Sequence, residues 1–147
     1  MWKNRIDKAA RIAIGGHIRP DGDCVGSCMG LYQYLKENEP EKEVDVYLEE
    51  IPEAYRPWVP EGVIRHEIPE GKSYDLFICL DCGDQDRLGF SAPLFDQAEH
   101  TFCIDHHVSN PEFAEENHVV PDASSTSELV YGLLEDDKIS RKTAELL

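Results

Sequence analysis

Three short runs hold the residues capable of chemistry. The first is Gly15-Gly16-His17-Ile18-Arg19-Pro20-Asp21-Gly22-Asp23, with one imidazole and two carboxylates close together. The second is Leu80-Asp81-Cys82-Gly83-Asp84, and the third is Ile104-Asp105-His106-His107. Each follows directly on an apolar stretch, so three strand ends are expected to bring carboxylates and imidazoles to one rim of a sheet. Hard oxygen donors mixed with imidazole at a common rim suit a divalent metal centre, and their number suits two ions.

Each run also has a plainer reading. Pro20-Asp21-Gly22 is an ordinary turn sequence, so the first run alone is as well explained by an acidic turn. The other two runs make it a site. His17 would be fixed by its strand, Pro20 would stiffen the turn, and Gly22 and Gly26 would allow close backbone approach. Asp81 ends the most apolar strand, where α/β sheets place their sites, and one carboxylate there can bridge two cations. Asp84 is its rival and reads better as a turn or helix N-cap. Two adjacent histidines at a strand end point in different directions, so one of His106 and His107 can ligate metal while the other faces substrate. His66, His100 and His118 lack such neighbours and read as surface or satisfied histidines. In Pro121-Asp122-Ala123-Ser124-Ser125-Thr126-Ser127, hydroxyls and free N–H groups at a helix start suit a phosphate, and they suit simple capping equally well.

The elements that must position these groups alternate. An amphipathic helical pattern covers residues 3–11, and a short strand covers 12–16. A helix is expected over 22–37, stopped by Asn38-Glu39-Pro40, and a strand over 44–48. Three prolines make 52–60 a loop or short turn, and 63–68 is a weak strand. Residues 75–81 read as the central strand, continuously apolar between its two terminal aspartates, as a parallel strand covered on both faces should be. A short helix at 92–98, a strand at 101–104 and an extended pair at 119–120 follow. A helix over 124–135 opens on the capping box Ser125-Thr126-Ser127-Glu128. The last expected helix, residues 139–147, is capped by Ser140 and carries no stop signal, so the natural polypeptide is expected to continue. The alternation predicts an α/β fold: a parallel β-sheet with helices on both faces.

At 147 residues the chain forms one domain with a real core. Hydrophobic residues make up 41% and charged residues 30%, which fits a soluble globular protein. No apolar run is long enough to span a bilayer and no leader is evident, so a cytoplasmic protein without membrane association is expected. The net charge of -16 repels polyanions, so long DNA is not an expected partner. Bound divalent ions would reverse the sign locally and leave a small anionic substrate acceptable. Five cysteines, an odd number, read as reduced and mostly buried thiols. Cys79-x-x-Cys82 has zinc spacing but no second pair to complete a tetrahedral site.

Together the motifs resemble the DHH-family phosphoesterases, whose signature triplet stands here as Asp105-His106-His107. His17-Ile-Arg-Pro-Asp21-Gly-Asp23-Cys-Val-Gly26-Ser27 is similar to the opening motif of the nanoRNase and pAp-phosphatase branch. Leu80-Asp81-Cys82-Gly83-Asp84 with Arg87-Leu88-Gly89 matches the second motif, and Ser124-Ser-Thr-Ser-Glu128-Leu-Val matches the segment after the triplet. The resemblance implies two manganese ions, with other divalent metals admissible. His17 and Asp21 would hold one, Asp23 and His106 the other, and Asp81 would bridge. His107 would act on the substrate phosphate, Asp105 would orient the adjacent imidazoles, and Ser124 and Ser125 would contact substrate. A metal-bound hydroxide would attack phosphorus.

The implied substrates are short RNA oligonucleotides or small nucleotides such as nucleoside 3',5'-bisphosphate (pAp), with a cyclic dinucleotide as the alternative and a homodimer as the candidate assembly. Two departures stand out: a further aspartate motif and a C-terminal substrate-binding domain, both usual in the family, are absent from these 147 residues. The chain is therefore expected to be an incomplete N-terminal DHH domain, weakly active or inactive by itself. Pyrophosphatases of the superfamily usually carry Asp-His-Asn where this chain has Asp-His-His. Two competing readings are a non-catalytic metal-binding or interaction module, and a single-stranded DNA exonuclease, which the acidic charge opposes.

Overall fold

Residues 76–80 are apolar at every position, and in the computed structural model, which describes residues 2–147, they form a fully buried strand at the centre of the sheet. The strands are β1 (Arg11–Gly15), β2 (Glu43–Tyr47), β3 (Ile64–Arg65), β4 (Leu76–Leu80), β5 (His100–Asp105) and β6 (Glu116–Val119). They form one six-stranded sheet in the order β3-β2-β1-β4-β5-β6, and every pairing is parallel. The chain builds outward from β1 in one direction, then restarts at β4 and builds the other way. The crevice at such a reversal, beyond the carboxyl ends of the strands, is where open α/β sheets accept ligands. His17 and Asp81 follow the two strands that flank it.

Side chains alternate across the strands and divide the core in two. Ile12, Ile14, Leu76, Ile78, Leu80, Phe102 and Ile104 pack under α2 (Gly22–Asn38) and α4 (Thr126–Leu133). Ala13, Phe77, Cys79 and Cys103 face the opposite side, against Tyr47, Tyr74, Leu88, Leu94 and Phe95. That second layer includes α3 (Ala92–Gln97). The remaining helices are α1 (Trp2–Lys8) and α5 (Arg141–Leu146), the latter capped by Ser140. Among the described residues no helix is long and apolar enough to cross a membrane. All five cysteines are buried and free.

Several element boundaries differ from the sequence expectation. The first helix stops at Lys8 rather than continuing to residue 11. The Asp75 carboxylate accepts from the amides of Ala10 (2.8 Å) and Arg11 (2.9 Å), and this pins the chain into the sheet beside β4. The last strand lies at Glu116–Val119, not at 119–120. It is a half-exposed edge whose register with β5, not an apolar pattern, defines it. The proline-rich stretch holds a 3-10 turn at Glu53–Trp58, and another 3-10 segment, Gln85–Ser91, follows the second motif.

Candidate metal centre

The end of β1 delivers His17, which is 7% exposed. Its Nδ1–H donates to the carbonyl of Ile18 at 2.6 Å. A carbonyl can only accept, so Nδ1 carries a proton and Nε2 is the nitrogen that faces the rim. Asp21 caps α2, its carboxylate accepting from the Cys24 amide at 3.0 Å. Asp23 lies in the first turn of the same helix.

Asp81 stands immediately after β4, 2% exposed. Its φ of 58° is unusual for a residue with a side chain. The amide of Asp81 donates to Ile104 at 3.1 Å, which helps to hold the strained turn in place. Such strain collects where a side chain must be aimed.

The two oxygens of Asp81 face different partners. Oδ2 lies 3.4 Å from His17 Nε2, and that nitrogen is 3.5 Å from Asp21 Oδ1. Oδ1 lies 3.6 Å from His106 Nε2, which is 3.5 Å from Asp23 Oδ2. Asp81 is thus shared by two histidines, His17 with Asp21 on one side and His106 with Asp23 on the other, while the ligand atoms that all lie within 4.8 Å of one another are those of His17, Cys24 and Asp81 and those of Asp81, His106 and His107. Two donors that each stand about 2.1 Å from one ion at a roughly tetrahedral angle are about 3.4 Å apart, so each histidine–carboxylate separation suits donors to a common cation. The mixture of imidazole and carboxylate suits manganese, zinc or a related divalent ion.

The electrostatics agree. The hydrogen bond that His17 donates to the Asp81 carboxylate raises the pKa of His17 to about 10, against the opposing effect of burial. Burial raises Asp81, and the hydrogen bonds from His17 and Thr126 offset only part of this. Asp21 is lowered: burial opposes the shift, but the Cys24 amide and His17 outweigh it. A buried carboxylate among acids is stabilised by cations, whether protons or metal ions.

The third run supplies the remaining groups. Asp105 is fully buried and accepts from His107 Nδ1–H at 2.6 Å. Its other oxygen accepts from Asn110 Nδ2 at 2.8 Å, and the same amide donates to the Cys82 carbonyl at 3.2 Å. Asp105 therefore orients His107. His106 instead turns its Nε2 toward Asp23 and Asp81, so the expectation that Asp105 orients both imidazoles holds by contact for His107 alone.

The helix start is used differently from the phosphate reading. Ser124 donates its amide and its hydroxyl to Glu128, each at 2.7 Å. Ser125 Oγ accepts from the Glu128 amide at 3.1 Å, as a capping box requires. The next two amides, of Thr126 and Ser127, both donate to Asp23, each at 2.9 Å. Thr126 Oγ1 donates to Asp81 Oδ1 at 3.1 Å. The sequence marks this helix start clearly, but nothing in it signals a partner so far away along the chain. Asn110 likewise has no local signature. Asp84 caps the following 3-10 segment through the Arg87 amide, and His66 and His100 are satisfied by Leu48 and Glu115. Cys79 is interior to the sheet and Cys82 donates to the Asp84 carbonyl, so this pair is structural.

The chain is similar to a family of known proteins. The DHH family, N-terminal domain, matches residues 11–147. The bifunctional oligoribonuclease and PAP phosphatase NrnA of Bacillus subtilis is 30% identical over 142 residues, covering 92% of this chain and 43% of that protein. The cyclic-di-AMP phosphodiesterase GdpP of Geobacillus thermodenitrificans is 30% identical over 148 residues, covering 88% of this chain and 22% of its own length. Among solved structures, an exopolyphosphatase-related protein from Bacteroides fragilis superposes with a TM-score of 0.86 at 26% identity, covering 99% of this chain and 46% of that one. The chain spans less than half the length of each of these proteins.

Proposed function

The chain belongs to the DHH family, and from that membership we propose that it is the metal-holding portion of a phosphoesterase acting on short oligoribonucleotides or on nucleoside 3',5'-bisphosphate. The observation that carries the proposal is Asp81, placed between His17 and His106 with a different oxygen toward each.

His17, Asp21 and Asp81 would hold one divalent cation, and Asp23, His106 and Asp81 a second, with manganese the expected metal. When bound, such ions lower the pKa of water and neutralise charge on phosphoryl oxygens. The protein's own groups do the rest. Asp105 accepts the Nδ1–H bond of His107 and leaves Nε2 for substrate, where an Nε2–H of the protonated ring would donate to a phosphoryl oxygen. Asn110 fixes Asp105 from behind. Ser125 keeps its O–H free after accepting from the Glu128 amide, and that O–H is available to an outer phosphate oxygen. Ser124 would have to release Glu128 to do the same. The net charge of -16 opposes a long polyanion, which supports a short substrate.

The similarity to GdpP supports a second reading, a cyclic-dinucleotide substrate at the same centre. The chain spans 43% of the NrnA length, and we read it as the DHH portion of a longer enzyme. Turnover by the span alone is then expected to be slow.

The test assays this chain and Bacillus subtilis NrnA side by side with manganese on a diribonucleotide, pAp and cyclic di-AMP. Slow, metal-dependent release of mononucleotide or phosphate, lost in Asp81→Asn, is the expected result. No hydrolysis of any of the three, even with longer versions of the protein, would overturn the phosphoesterase reading. A rate equal to that of NrnA would overturn the reading of the span as incomplete.

A further inference from the structure

Thr126 is the first residue of α4 and is fully buried. A buried hydroxyl must find a partner. Inside a helix, threonine commonly bonds the carbonyl one turn earlier, but at the first helical position no such turn exists. Its hydroxyl reaches instead to Asp81 Oδ1 at 3.1 Å, while its amide donates to Asp23 Oδ2 at 2.9 Å. Ser127, 6% exposed, adds its amide to the other Asp23 oxygen at 2.9 Å.

These bonds are one-sided. Asp81 Oδ1 is the oxygen facing His106, and Asp23 is the other carboxylate near His106. Oδ2, the oxygen facing His17, is 3.4 Å from that imidazole and takes no bond from α4. We propose that Thr126 is a positioning residue for one half of the centre, holding Asp23 and Asp81 in register so that a divalent ion binds between them and His106. The inference rests on reading the rim as a metal centre and adds to it an asymmetry: the hydroxyl of Thr126 supports the Asp23–His106 half and leaves the His17–Asp21 half untouched.

Thr126→Val keeps the shape and the backbone amide and removes only the hydroxyl. Thr126→Ser keeps the hydroxyl. The experiment titrates manganese into the wild-type chain and each variant, reading free Mn²⁺ by its electron paramagnetic resonance signal. The same Thr126→Val change is then made in His106→Ala and in His17→Ala backgrounds. Thermal melting in chelator verifies that each variant is folded.

Outer partners of metal ligands are typically worth 10–100-fold in affinity. Thr126→Val is therefore expected to weaken manganese about tenfold at one class of site, with Thr126→Ser within about threefold of wild type. The loss should persist without His17 and vanish without His106, the non-additivity expected of residues that act together. An unchanged affinity, or an equal loss in both backgrounds, would overturn the inference and reduce Thr126 to a tie between α4 and the sheet. A wild-type chain that takes up no manganese would overturn the metal centre itself, and this inference with it.

Discussion

His17 and His106 stand on opposite sides of one carboxylate, their Nε2 atoms 3.4 and 3.6 Å from different oxygens of Asp81. They come from the ends of β1 and β5, which are not neighbours: β4 lies between them and carries Asp81. Three consecutive strands thus supply imidazole, carboxylate and imidazole in line. The parallel register sets their heights, and the strained φ of Asp81 turns its side chain into the gap.

Asp81 should consequently be the least replaceable residue. Asp81→Asn keeps the size and removes the charge that both ions would share. Manganese affinity should fall by more than about 100-fold, the upper range for an outer-shell partner. Isothermal titration measures this, and an unaltered circular dichroism spectrum shows that the fold persists.

The pairing of His17 with Asp81 has a pH signature. Its folded pKa of about 10 lies above the usual histidine value of about 6.5, so the folded protein in chelator binds more protons than the unfolded chain between those limits. The pair's stabilising contribution is complete below about pH 6.5 and is lost as pH rises through 10. The melting temperature should fall across that window, and His17→Ala should flatten the slope. Metal must displace the same proton. Manganese binding at pH 7.5 should then acidify a weakly buffered sample and should tighten as pH rises.

Asn110 sits behind the third run, bonded to Asp105 and to the Cys82 carbonyl. Asn110→Ala should free Asp105 to tilt and so loosen His107, while Asp23, Asp81 and His106 keep their places. Hydrolysis is expected to drop about tenfold, within the range for outer partners, with manganese affinity within about twofold of wild type. Equal losses in both would place Asn110 in the fold rather than behind His107.

Gly16 tests the packing that aims the first run. A methyl group there would collide with Cys24 Sγ, and would lie 2.9 Å from a Leu48 methyl. Overpacking of this kind costs roughly 1–3 kcal/mol. Gly16→Ala should be destabilised by about that amount in urea unfolding, and a second change, Cys24→Ala, should recover part of the loss.

Much of this was legible in the chain itself. The continuous apolar run of β4 announced a central parallel strand, and the acids and imidazoles after three apolar runs announced a rim. The type of each element around these runs was also readable, because caps such as Asp21 and Ser125 act on amides only a few residues away. Long-range partners were not. Asp75 ends α1 early by binding amides 64 and 65 residues away, and Thr126 reaches Asp81 across 45 residues. Neither bond leaves a local pattern. The helix-start amides, which suit phosphate and capping equally well from the sequence, illustrate the same limit: they bind a carboxylate of the protein, and only the fold brings Asp23 beneath them.

The most direct test of a shared Asp81 is the electron paramagnetic resonance spectrum of the chain saturated with manganese. Two ions joined through one carboxylate should give an exchange-coupled pair signal, and Asp81→Asn should abolish it. Two uncoupled ions in the wild type, or a pair signal that survives in Asp81→Asn, would contradict the account.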